Sequence, residues 1–155
     1  MNRLARFAIG TAGAAALLAA PASAFAAQAG PATTTGTTVT TCSYGLQSGL
    51  ATYACTDVTG DSVAVYGKVA LAGPPSPGTP WPPAPKELFT TLSAEVAGGS
   101  SLGSVNGHGV FQISTLRFDG FTSTVPCGST VNATFSVTSY GWGPSPVTVS
   151  VPVNC

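Results

Sequence analysis

Over residues 131–137 the apolar side chains fall on alternate positions, Val131, Ala133, Phe135 and Val137, with Asn132, Thr134 and Ser136 between them. A period of two is the strand period, because successive side chains of a pleated strand point to opposite faces. After a break at Tyr140-Gly141-Trp142-Gly143-Pro144 the alternation resumes as Val147, Val149, Val151 and Val153. Residues 127–155 therefore read as a hairpin of two half-buried strands, bracketed by Cys127 and Cys155. Over residues 62–71, Val63, Val65, Gly67, Val69 and Leu71 alternate with Ser62, Ala64, Tyr66, Lys68 and Ala70, the clearest strand of the first half.

The remaining segments are weaker in pattern. A Thr and Val run up to Cys42, turn chemistry over 43–49 and a return over 51–56 predict a first hairpin. Residues 86–96 fit a helix through Leu88, Leu92 and Glu95, but the alternation of Leu88, Thr90, Leu92, Ala94 and Val96 favours a strand. Residues 98–109, rich in Gly and Ser, read as a loop. Between 110 and 118 the apolar face switches near Ser114, which predicts a bulge or a change of sheet. A further short strand is expected over 121–125.

Seven to eight short strands with turn-rich joints predict an all-β fold, an antiparallel β-sandwich of immunoglobulin-like or Greek-key type, in a single domain over residues 37–155. Two distant cysteines with a Trp between them, the immunoglobulin mark, are not found in that form. Ahead of this domain, Arg3 and Arg6 precede an apolar run over 7–20 and the small-residue sites Ala22-Ser23-Ala24 and Ala24-Phe25-Ala26. Residues 1–26 read as a secretory signal peptide and residues 27–36 as a flexible lead-in of Ala, Gly, Pro and Thr. No later stretch reaches the roughly 18 apolar residues of a membrane span. The expected location is secreted, extracellular or loosely associated with the cell surface, and leader and composition read as bacterial. On that reading the Asn132-Ala133-Thr134 glycosylation match is accidental.

Composition narrows the partners. Beyond the leader, Lys68, Lys86 and Arg117 face five carboxylates, a net charge of about −2. Charged residues are 6% of the chain, against about 25% in an average protein. With no basic patch, neither nucleic acid nor an anionic membrane is an expected partner. Four cysteines in an exported chain predict two disulfides. Of three connectivities, Cys42 with Cys55 and Cys127 with Cys155 is preferred, since each pair brackets a hairpin. Closing these loops contributes about 3 and about 3.6 kcal/mol on the chain-entropy model. The spacings lack a Cys-x-x-Cys pair, so no metal site is expected.

Candidate chemistry is sparse. His108 as a general base, oriented by Asp119, lacks a Gly-x-Ser-x-Gly nucleophile elbow to act on. Glu87 and Glu95 would serve a glycosidase if they lay about 5–9 Å apart. Asp57 and Asp61 only faintly resemble a calcium loop. No catalytic residue and no cofactor is assigned. The aromatic residues are more informative. Trp81 lies in a segment with seven prolines in thirteen residues, 73–85, including Pro74, Pro75, Pro80, Pro82 and Pro83. Such a segment is stiff and extended, which lowers the entropy lost on binding. Trp81 could stack on a ligand or fold back on the domain. For Trp142, beside Tyr140, packing over the end of the core is the favoured alternative to ligand contact.

In plan, a leader followed by a compact two-disulfide β-domain, the chain resembles small secreted inhibitors of the tendamistat type. The Trp-Arg-Tyr motif of those inhibitors is absent, so no site residue is carried over. The expectation is a secreted, non-enzymatic protein that binds an extracellular protein or cell-wall polysaccharide through Pro74, Pro75, Pro80, Trp81, Pro82, Pro83, Tyr140 and Trp142. The alternatives are an inhibitor of an extracellular hydrolase acting through the same loop and, third, a small secreted hydrolase.

Overall fold

The computed structural model describes residues 36–74, 77–78, 80 and 82–155. The signal peptide and nearly all of the lead-in expected from the sequence lie outside the described residues, as do Pro75 and Trp81. The domain is built of eight strands: β1 (Val39–Gln47), β2 (Leu50–Thr59), β3 (Ser62–Leu71), β4 (Lys86–Val96), β5 (Ser101–Phe111), β6 (Leu116–Thr124), β7 (Thr130–Thr138) and β8 (Val147–Pro152). They form two four-stranded antiparallel sheets, sheet A in the order β1-β2-β3-β6 and sheet B in the order β5-β4-β7-β8. The chain crosses between sheets after β3, β5 and β6. Strand β6 thus returns to lie beside β3, and β7 beside β4, the Greek-key connection of a β-sandwich.

The alternating residues explain the layers. Val131, Ala133, Phe135 and Val137 of β7 are buried, as are Val147, Val149 and Val151 of β8 and Val153 beyond it. Across the core they meet the inward residues of sheet A, including Leu50, Ala54, Val58, Val63, Val65 and Val69. Gly67 of β3 lies directly under the Phe135 ring, so closely that an added Cβ would overlap it. Both disulfides have the expected pairing: Cys42–Cys55 joins β1 to β2 across one register position, and Cys127–Cys155 closes the β7–β8 hairpin.

Three sequence expectations are corrected. The turn over 43–49 shrinks to Ser48-Gly49, both with positive φ, 52° and 73°, the backbone of a tight two-residue hairpin turn that matches strand twist. Strand β1 therefore runs on to Gln47. The Gly-Ser loop over 98–109 is largely β5, an edge strand paired with β4 from Phe111 back to Ser101. Its glycines are spaces for side chains of the opposite sheet: Gly103 meets the ring of Phe121, and Gly107 and Gly109 meet that of Phe118. The separate strand over 121–125 is the second half of β6. The change of sheet expected near Ser114 is found at residues 112–115, and 86–96 is a strand.

Gln47 closes one end of the sandwich. It is 1% exposed. Its amide nitrogen donates to Thr52 Oγ1 and to the Phe135 carbonyl, both at 2.9 Å, while Oε1 accepts from the Val137 N–H at 2.8 Å. Phe135 is the last β7 residue that β8 reaches, opposite Val147. Pro146, the residue before Val147, has no N–H to offer in a continued ladder. The Gln47 side chain supplies the donor and acceptor that a longer neighbour would have provided, and it joins sheet A to sheet B by doing so.

Candidate functional site

At the same end, the β7–β8 connection projects from the sandwich. Tyr140 is fully solvent-exposed and Trp142 is 56% exposed. A one-bridge turn from Ser139 to Trp142, with Gly141 at φ 80°, fixes their backbone. The expected packing of Trp142 over the core is therefore corrected: Gln47 fills that place, and the indole stands outside. What holds the indole is Lys86, the first residue of β4. Its ammonium donates to the Ser48 carbonyl at 2.5 Å and lies 5.4 Å from the indole ring centroid, a cation–π contact. The β1–β2 turn, the start of β4 and the Trp142 turn thus support one another.

The proline segment joins β3 to β4 and ends at Lys86, so it returns to the same tip. Pro74, Pro80 and Pro82 are exposed and Pro83 is half-buried. Pro83 precedes Lys86 by three residues in the chain, and Lys86 contacts Trp142. Pro75 and Trp81 lie outside the described residues.

Of the titratable groups singled out from the sequence, His108 and Asp119 line one small hollow with Arg117 where β5 faces β6, and the others are dispersed. His108 lies on β5, not in a loop, and faces outward. Its Nε2 is 2.8 Å from Glu87 Oε1, and its ring rests on Phe89 with centroids 5.0 Å apart. Asp119, considered as its orienting partner, is instead bound by Arg117 Nε at 2.6 Å. Glu87 and Glu95 lie eight residues apart on one strand, roughly 26 Å at the strand rise. They cannot flank one glycosidic bond. Asp57 accepts hydrogen bonds from Thr40 Oγ1 at 2.7 Å and from the Tyr66 hydroxyl at 3.3 Å. Among the described residues no group of three or more His, Cys, Asp or Glu side chains is placed to hold a metal ion.

The structure also assembles a surface that sequence reasoning passed over, the outer face of sheet A. Register aligns Cys42, Cys55, Tyr66 and Asp119 in one row, and Tyr44, Tyr53, Lys68 and Arg117 in the next. Tyr44 and Tyr53 pack with ring centroids 5.3 Å apart. Tyr66 is only 4% exposed although it points away from the core. It is covered by the Arg117 guanidinium, 3.5 Å from its ring centroid, and flanked by the Lys68 ammonium at 5.3 Å. Burial, reinforced by the Asp57 carboxylate, pushes the Tyr66 phenol above its ordinary pKa. The hydrogen bond that Arg117 donates to Asp119 raises the pKa of Arg117 in turn. The available signal was that Tyr44, Tyr53 and Tyr66 all occupy outward positions of their strands, but it needs the register of three strands to become a surface.

Among the described residues no helix is long and apolar enough to cross a membrane, and both disulfides suit an oxidising compartment. No protein-family model and no curated protein matches the chain, so the side chains just described carry the functional reading by themselves.

Proposed function

We propose that this is a secreted, non-enzymatic binding protein that recognises a protein or polysaccharide at the cell surface or in the medium through the tip formed by Tyr140, Trp142 and the proline segment. The observation that supports it most is the support of Trp142. An indole left 56% exposed in a hairpin turn would ordinarily be free to rotate. Here Lys86 lies against it and is itself tied to the Ser48 carbonyl. An aromatic side chain held in place before contact loses little entropy on binding, the property expected of a recognition anchor. The prolines restrict the adjoining segment in the same sense.

The test is retention on insoluble glycans, cellulose, chitin and peptidoglycan sacculi, together with a panel of secreted proteases and glycosidases. The oxidised chain is compared with Tyr140→Ala, Trp142→Ala and a version whose residues 74–85 are replaced by a Gly-Ser linker. Tip-dependent retention on one glycan supports a surface-binding module. Stoichiometric, tip-dependent loss of one hydrolase activity supports the inhibitor alternative through the same surface. If the oxidised chain does neither, or does either equally well with all three changes, the tip is not the binding site.

A further inference from the structure

The outer face of sheet A has a hollow as well as an aromatic row. Ala51 of β2 lies opposite Ala70 of β3, one step along from the Tyr53–Lys68 pair. Ala51 is buried, whereas the small side chain of Ala70 beside Tyr53 and Lys68 leaves a depression of about 460 Å³ lined by Cys42, Tyr53, Cys55, Lys68, Ala70 and Thr115. Its floor is the Cys42–Cys55 disulfide and an alanine methyl, both apolar. Tyr53 stands at its side, and Tyr44, 57% exposed, extends that aromatic wall outward.

Charge distinguishes this hollow from a general apolar patch. Arg117 is neutralised by Asp119. Asp57 lies beyond the disulfide and is occupied by Thr40 and Tyr66. Lys68, at the rim, has no carboxylate partner among the described residues. The hollow thus offers one uncompensated positive charge beside an aromatic wall. A sugar ring carrying a carboxylate is the complement: its C–H face is apolar and packs on aromatic carbon, while its anion pairs with an ammonium.

We infer that this hollow binds a uronate-type residue of an anionic polysaccharide, with Tyr53 and Tyr44 against the ring and Lys68 on the carboxylate. The site is separate from the tip formed by Tyr140 and Trp142 and does not depend on it. An anionic polymer also repeats its carboxylate, so several molecules could decorate one strand of glycan without contact between them.

The experiment is calorimetric titration of the oxidised chain with polygalacturonate, with its fully methyl-esterified form, and with neutral dextran, at two salt concentrations. Polygalacturonate is expected to bind, more weakly at the higher salt, and methyl esterification to reduce affinity about tenfold, the scale of one lost hydrogen bond to a charged group. Lys68→Gln and Tyr44→Ala are expected to weaken binding by a similar factor, and Thr134→Ala, on the outer face of sheet B, to leave it within about twofold. Tyr44 and Lys68 are surface side chains, and an unchanged urea midpoint would show that their loss leaves the fold intact. Failure to bind polygalacturonate, or equal binding of the esterified form, overturns the proposal. So does binding that survives both Lys68→Gln and Tyr44→Ala. A polyphosphate arm separates sources of charge: binding as tight as that of polygalacturonate would show attraction to any polyanion and would overturn the assignment to a sugar ring.

Discussion

The two outer faces of this sandwich have the same pleat and comparable strand lengths, yet they are dressed differently. Sheet A presents Tyr44, Tyr53, Tyr66, Lys68 and Arg117 around a disulfide. Sheet B presents rows of hydroxyls, Thr91, Ser93, Thr134, Ser136, Thr148 and Ser150, with Thr134 and Thr148 sharing a 3.0 Å hydrogen bond, and carries exposed Phe89, His108 and Val110 only toward its β5 edge. Short hydroxyl side chains keep a flat face wet with few charges, and Pro152 and the late start of β8 blunt its edge. Large aromatic side chains beside cations do nothing for solubility that serine would not do better. The few charges of this chain are not spread evenly: all three cations beyond residue 35 lie against aromatic rings, two on sheet A and one at the tip.

Both faces rest on one core, and substitutions there are expected to cost the most. Phe135 is completely buried, its ring lying over Gly67 and near Phe118 of the opposite sheet. Phe135→Ala is expected to cost about 3–5 kcal/mol, read as a lower urea midpoint, because it leaves a cavity in the closely packed interior between the sheets. Gln47→Leu should follow at roughly 2–5 kcal/mol, since it strands the Phe135 carbonyl and the Val137 N–H in the interior.

Removing the disulfides one at a time separates the sheets. Replacing Cys127 and Cys155 by Ala should cost about 3.6 kcal/mol, and replacing Cys42 and Cys55 about 3 kcal/mol, because the first pair closes the longer loop. Equal or reversed costs by chemical denaturation would mean that Cys55, fully buried beneath the sheet A surface, contributes packing as well as closure.

These costs bear on what the sequence could tell. The β7–β8 hairpin and both cysteine pairs were legible because valines alternate with hydroxyl residues and each pair brackets one turn. Strand β5 was not, because Gly103, Gly107 and Gly109 lack the side chains that make alternation visible. The mass that fills their places, Phe118 and Phe121, belongs to another strand and another sheet. The tip was legible as an aromatic turn, but the fate of Trp142 depended on Gln47, 95 residues earlier in the chain, taking the position over the core. The tyrosines of sheet A were visible singly; only register made them neighbours.

A smaller effect, confined to sheet A, depends on pH. The folded state holds the Tyr66 proton more tightly than the unfolded chain does, since burial and then Asp57 raise its pKa. Its contribution is therefore complete below the unfolded value of about 10 and is lost as pH rises through the higher folded value. Tyr66→Phe should lose about 0.5–1.5 kcal/mol at neutral pH with the Asp57 hydrogen bond, yet fall less steeply above pH ~10. Parallel alkaline curves for the two proteins would show that Tyr66 does not titrate with unfolding.

The smallest effect is expected on sheet B. His108 and Glu87 form its one imidazole–carboxylate contact among the described residues, an ion pair only when the ring is protonated, with side chains 54% and 62% exposed. Solvent screens such a pair, and the entropy of holding two exposed side chains offsets much of what attraction remains. Glu87→Gln should change the urea midpoint by no more than the equivalent of about 0.5 kcal/mol, and the difference should shrink further in high salt. A larger, salt-resistant loss would mean that the Phe89–His108 stack depends on Glu87 to hold the ring, giving sheet B an ordered aromatic feature of its own. In that case the contrast between a working face and a merely soluble one would narrow to the hydroxyl rows of β7 and β8, and Glu87, His108 and Phe89 would have to be counted with sheet A's tyrosines as a surface built for contact.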